Sequence, residues 1–170
     1  MHRNILIIVA LVVVFAITFL VTISARRKRN KLLQNPLFDT LRKYQDEILD
    51  KGYDISITNK PTNQKNDEKL LYQALGKISN VDFNLKEPEG ELKSCNMWIS
   101  EDRLIINNDQ ENTAFKLKRV VEFEFDLDET SSDFLFSYND EYFRVTTKDL
   151  YFVALLDLLV AKFKQDKEKK

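Results

Sequence analysis

The first strong pattern along the chain is a lack of polarity: residues 4–25 carry no charge, and fifteen of the nineteen residues at 5–23 are Ile, Leu, Val or Phe. As a helix rising ~1.5 Å per residue this run is roughly 28 Å long, matching the ~30 Å hydrocarbon thickness of a bilayer. Val12, Val13 and Val14 would favour a strand in water, but in lipid only a helix satisfies every backbone N–H and C=O within one segment. Arg26, Arg27, Lys28, Arg29 and Lys31 follow at once and outweigh Arg3 on the other side. That asymmetry predicts a single-pass transmembrane helix in the cell membrane with the C-terminal part cytoplasmic. A cleaved signal competes with this reading, because Thr22 and Ser24 are small residues at peptidase-like spacing. The apolar run exceeds the about 7 to 15 residues of a signal core, however, and the basic cluster directly behind it favours an uncleaved anchor.

Helical spacing resumes after the cluster. Asn35-Pro36 reads as a helix cap and first position, and Leu37, Phe38, Leu41, Tyr44, Ile48 and Leu49 recur on one side until Gly52. Tyr53, Ile55 and Ile57 alternate with Asp54, Ser56 and Thr58, which predicts a short strand ahead of a polar loop at 59–65. A second helix is expected over 67–79: Asn66 caps it, Asp67 and Glu68 suit its positive end, and Leu70, Leu71, Ala74, Leu75 and Ile78 form one stripe.

From Val81 the period changes to two, predicting strands near 81–86, 91–99, 103–107, 113–118, 120–127, 133–138 and 141–146. Neighbours a turn apart pair antiparallel, because parallel strands need long crossovers. In the fifth of these, Val121, Phe123, Phe125 and Leu127 alternate with Glu122, Glu124, Asp126 and Asp128, so one face packs and the other is wet. Tyr138-Asn139-Asp140-Glu141 reads as a hairpin turn. A closing helix starts at Thr147, with Phe152, Leu155, Leu156, Leu159 and Phe163 on one side and Leu150, Val153 and Val160 flanking them. Asp157 and the charges from Lys162 make it too short for a second span. The pattern as a whole is α+β. It divides into an anchor (1–25), a basic juxtamembrane linker (26–35), a helical connecting region packed on the domain (36–80), a β domain with its C-terminal helix (81–165) and a charged tail (166–170).

Several antiparallel strands followed by one amphipathic C-terminal helix resemble the pleckstrin-homology-like (PH-like) superfold, in particular bacterial PH-like and GRAM-like modules, over residues 81–165. The resemblance is carried by Gly90-Glu91-Leu92, by Met97-Trp98-Ile99-Ser100-Glu101-Asp102-Arg103-Leu104-Ile105-Ile106, by residues 115–125 and by the closing helix. It implies a mainly antiparallel sheet or partly open barrel that binds lipids, peptides or sister subunits rather than catalysing a reaction. Phosphoinositide sites in such modules rely on basic residues in the first hairpin. No such cluster maps onto this chain, so headgroup binding by the domain is not implied.

Charge sharpens the division. Six of the 26 Lys/Arg lie within residues 1–31, leaving 20 against all 27 Asp/Glu in the remainder, a balance of −7. An acidic domain repels phosphate backbones, which argues against nucleic acid as a partner. Arg26, Arg27, Lys28, Arg29 and Lys31 are candidate contacts for anionic lipid, at about 1 kcal/mol per residue near a charged surface. Glu122, Glu124, Asp126 and Asp128 are a candidate surface for a basic protein partner.

Candidate chemistry is sparse. The one histidine is His2, beyond the apolar run, and the one cysteine is Cys95, so a Cys/His zinc site and an internal disulfide are both excluded. A lone thiol suits a reducing compartment. Three glycines are too few for a phosphate-cradling loop. Asp126-Leu127-Asp128-Glu129-Thr130 matches the Asp-x-Asp-x-Thr motif of haloacid-dehalogenase-type phosphatases, but that motif ends a parallel strand buried on both faces, and Glu122 and Glu124 mark a half-wet strand. As a calcium loop the stretch fails too, with Ser131 where Gly and Ser137 where Glu are needed. Trp98, beside Met97 and Cys95, is expected in the core rather than in a ligand groove. The expectation is a membrane-anchored, non-enzymatic binding or adaptor module without metal or cofactor, holding membrane lipid through its N-terminal helix and a protein partner through its domain. The alternative is an accessory subunit of a larger membrane complex.

Overall fold

A computed structural model describes residues 35–53, 55–81, 91–109, 112–128 and 131–168. The expected transmembrane helix, Arg26, Arg27, Lys28, Arg29 and Lys31, and the expected strand beyond Val81 lie outside the described residues. Among those described, no helix is long and apolar enough to cross a membrane.

Helix α1, Pro36–Lys51, has the ends its sequence requires. The Asn35 side chain accepts from the Leu37 N–H at 2.9 Å, and Gly52, at φ 81°, ends the helix with its N–H on the Ile48 carbonyl at 3.0 Å. The next expected strand reduces to one parallel bridge, Ser56 to Tyr72.

The expected second helix is instead a strand, β1, Leu70–Val81. Its apolar positions fit a helical stripe as well as a strand, so local pattern could not decide. Tertiary pairing did: Ala74 lies opposite Met97 and Gly76 opposite Cys95 over the core, whereas Leu75, a stripe member, points out opposite Asn96. The sheet therefore begins at Leu70.

Six more strands follow: β2 Lys93–Ser100, β3 Arg103–Asn107, β4 Asn112–Lys116, β5 Val120–Leu127, β6 Ser132–Tyr138 and β7 Glu141–Thr147, with a 3₁₀ turn, Leu117–Arg119, between β4 and β5. They form one antiparallel sheet in the order β4-β3-β2-β1-β7-β6-β5. β1 joins its halves, pairing with β2 from Leu70 to Ile78 and with β7 from Gly76 to Val81. At Gly76, the first of the three shared positions, a Cβ would lie 2.6 Å from Met97 Cε and 2.8 Å from the Thr146 carbonyl oxygen, so only glycine fits.

The sheet curls so that edge strand β4 faces β6 and β7. Phe115, on edge strand β4, packs edge-on against Phe136 of β6 at 5.0 Å and Phe143 of β7 at 4.9 Å. The expected 138–141 turn has Asn139 at φ 52° and Asp140 at φ 66°, the left-handed pair of a type I′ hairpin. One alternation is broken: a register shift between Val120 and Phe123 buries Val120 and leaves Val121 exposed, against the expected packed face.

Helix α2, Leu150–Glu168, starts three residues later than expected, because Thr147 still pairs in β7 and Asp149 accepts from the Phe152 N–H at 3.0 Å. Phe152, Leu155 and Leu156 are buried as the stripe predicts, but so are Val153 and Ala154, while Leu159 and Phe163 are only half-buried. Helix α1 packs on a second side of α2. There Tyr44 meets Tyr151 edge-on at 5.5 Å, and Gln45 donates to Asp157 at 2.8 Å.

Candidate functional site

A groove of about 1260 Å³ opens at the place where β1 and β7 part. β7 ends opposite Gly76, so the stretch of β1 before it leaves the main ladder. Substitutes hold its backbone there. Ser56 donates to the Leu71 carbonyl at 3.3 Å and accepts from the Gln73 N–H at 3.0 Å, and the Thr147 hydroxyl donates to the Leu75 carbonyl at 2.8 Å.

Tyr44, Tyr72 and Tyr151 form an aromatic wall, with Tyr72 and Tyr151 rings 4.9 Å apart. Burial and then Asp149, to which the Tyr72 hydroxyl donates, push the Tyr72 pKa up to about 12, so it remains a donor at neutral pH. On the lip, Leu75 is 71% and Leu92 38% exposed. Cys95 also lines the groove, but burial raises its thiol to about 11, which leaves it protonated and a poor nucleophile.

The acidic residues singled out from the sequence come together on the outer face of the other half. Glu122, Glu124 and Asp126 are exposed on β5, and Asp128 is exposed just past its end. Asp126 lies opposite Asp133 of β6, whose carboxylate is paired with Arg144 of β7. Asp126 and Asp128 do not occupy the buried parallel strand that the phosphatase motif needs: β5 is an antiparallel edge. Among the described residues, no cluster of three His, Cys, Asp or Glu could hold a metal ion.

Trp98 is buried, but in a small second cluster with Leu70 and Ile105 on the outer face of β1–β3, separate from the main core. Residues 55–69 cover it. Asn59 accepts from the Trp98 indole at 2.8 Å, and Glu68 forms a buried ion pair with Arg103, their side chains 5% and 8% exposed. Burial opposes ionisation of Glu68, but Arg103, Ser100 and the Lys65 N–H together hold its carboxyl below the usual carboxylate range. Neither the groove nor this pair was foreseen. Both join segments far apart in the chain, and no local spacing marks them.

No family model and no curated protein matches the chain. Among solved structures it is similar to the C-terminal domain of an unknown protein from Leishmania infantum, at 15% identity and TM-score 0.38 over 55% of this chain and 85% of that one. It is similar to the C-terminal phosphotyrosine interaction domain of mouse APBB2, at 14% identity and TM-score 0.33 over 55% of this chain and 84% of that one. A third similarity is to the linker-DH/PH domains of p115-RhoGEF, at 14% identity and TM-score 0.40 over 84% of this chain and 42% of the other. The fold is PH-like on its own topology, with seven antiparallel strands curled into one sheet and closed by a C-terminal helix.

Proposed function

We propose that the chain is a single-pass membrane-anchored, non-enzymatic binding module whose PH-like domain lies on the cytoplasmic side and takes a polypeptide partner in the groove beside Leu75. The observation that carries this reading is the groove itself: about 1260 Å³, walled by three tyrosines and lipped by exposed leucines. Small-molecule sites are typically smaller, about 300 to 1000 Å³, and bury most of their ligand.

The anchor multiplies a weak contact. Asn35 donates to the Leu127 carbonyl at 2.7 Å, which fixes where the linker joins the fold. The residues between Ala25 and Asn35 reach at most about 35 Å at ~3.5 Å each, so the domain searches only a thin layer next to the bilayer. Arg26, Arg27, Lys28, Arg29 and Lys31 would sit on anionic lipid, while the acidic outer face of β5 is repelled from it and left to a basic region of the partner.

A photo-cross-linking residue placed at Leu75 of the full chain in intact cells tests this, with Val121, exposed outside the groove, as the control position. The expected result is a discrete adduct from position 75 that Val121 does not give and that Lys77→Glu with Leu92→Asp abolishes. Identical labelling from both positions sinks the reading. Exposed Leu49 and Ile55, outside the groove, favour the second reading of an accessory subunit. Stoichiometric membrane subunits co-purifying in mild detergent would support it, and a monomer would remove it.

A further inference from the structure

Residues 55–69 are attached to the sheet differently from everything else in the described fold. They contribute little apolar burial: Pro61 is buried and Ile57 half-buried, whereas Ile55, Thr58, Asn59, Lys60 and Thr62 are exposed. They form no ladder beyond the single Ser56 bridge. What holds them is a row of separate polar tethers. Gln73 Oε1 accepts from the Thr58 and Asn59 N–H groups at 2.9 and 3.0 Å, the Trp98 indole donates to Asn59, and Arg103 is paired with Glu68. Weaker links run from Arg103 to the Asn63 carbonyl and from Asn107 to Thr62, each at 3.4 Å.

The fit beneath is imperfect. Asn63 Oδ1 and Asn107 Oδ1 are buried without a hydrogen-bond partner among the described residues. Unsatisfied buried oxygens destabilise the closed arrangement and regain water when it opens. β2 keeps its ladders to β1 and β3 whether or not the segment is in place, and the start of β1 keeps its pairing with β2 while giving up the two Ser56 bonds. Lifting it therefore costs a few hydrogen bonds and a small apolar patch, whereas lifting any strand breaks the core.

We infer that residues 55–69 form a strap that opens independently of the sheet and so sets the width of the groove at its Gln73 end. Thr58, Asn59 and Gln73 all line the groove, and the bonds among them are the ones that break when the strap lifts. The consequence for partner access rests on the groove reading given above; the opening itself does not.

The chain has one tryptophan, so selective ¹⁵N labelling of the full chain in lipid nanodiscs yields two signals from one residue. The Trp98 indole N–H reports the strap, and its backbone N–H, in central strand β2, reports the sheet. Each protection is corrected for intrinsic exchange. The expected result is an indole protected at least about tenfold less than the backbone amide. Glu68→Gln weakens a charge-assisted bond present only in the closed state and should lower both protections about tenfold, whereas Phe115→Leu, in the sheet core, should lower the backbone amide and leave the indole unchanged. Gln73→Ala, at a half-buried site, should act in the same direction and serves if Glu68→Gln does not fold. Equal protection of the two N–H groups, or a Phe115→Leu variant that lowers both alike, overturns the inference. No partner is present, so this outcome is independent of whether the groove binds one.

Discussion

The two halves of the sheet present opposite outer faces, although both curl around the same core. On β5–β7 the outward positions include Glu122, Glu124, Asp126, Asp133 and Arg144 beside Leu135 and Tyr142, a mostly polar face that is exposed along β5 and half-buried along β6 and β7. On β1–β3 they include Trp98 and Ile105, too apolar to be left wet, and fifteen residues between α1 and β1 are spent covering them. Each half also carries an ion pair across its outer face. Arg103–Glu68 is buried under the strap, and Arg144–Asp133 is open, with side chains 37% and 25% exposed. The lesson is that outward side chains decide whether a curled sheet needs further chain, and that the same chemical pair has a different role on each side.

The comparison breaks most visibly at the buried pair. Arg103→Met leaves the Glu68 carboxylate buried without its cation and should lower stability by about 3–5 kcal/mol in urea titration of the full chain followed by circular dichroism. Phe115→Ala should cost a similar ~3–5 kcal/mol, because that ring closes the sheet between its two halves. A loss below about 1 kcal/mol would show that the halves do not depend on that contact. Gly76→Ala, at the strand both halves share, should destabilise by about 1–3 kcal/mol, since Met97 Cε and the Thr146 carbonyl must give way.

The pH response separates the faces further. The folded-state pKa of Glu68 is depressed below its ordinary 4.5, so its contribution is present above that value and is lost as pH falls through the folded pKa. Glu68→Gln should therefore flatten the acid limb of a stability-versus-pH curve, and an unchanged limb would refute the assignment. The smallest effect belongs to the open pair. Arg144→Ala should cost no more than about 1 kcal/mol and shrink with added salt; a loss matching that of Arg103→Met would erase the contrast between the faces.

Much of the wet half was legible in the sequence. Strict alternation located β5 at 120–127 and put Glu122, Glu124 and Asp126 on one face, and Asn139-Asp140 marked its hairpin because those residues tolerate positive φ. β3, too, spans 103–107 as expected, its apolar run Leu104–Ile106 flanked by Arg103 and Asn107. The covered half was harder to read. Residues 70–81 satisfy a helical stripe and a strand equally, and the contacts that decide between them lie at 93–100 and 142–147. The groove is assembled from both helices, β1, the start of β2 and the end of β7, and the Glu68–Arg103 pair spans 35 residues, so neither leaves a mark at short range.

The hydrogen bond from Asn35 to Leu127 crosses 92 residues of sequence. A ribosome adding about 5 to 20 residues per second leaves roughly 5 to 20 s between making the donor and making the acceptor. Helix α2, against which α1 also packs, emerges later still. Of the elements described, α1 is thus the earliest translated and among the last to dock, and a nascent chain halted before α2 would display Leu41 and Ile48 to whatever chaperone stands nearby.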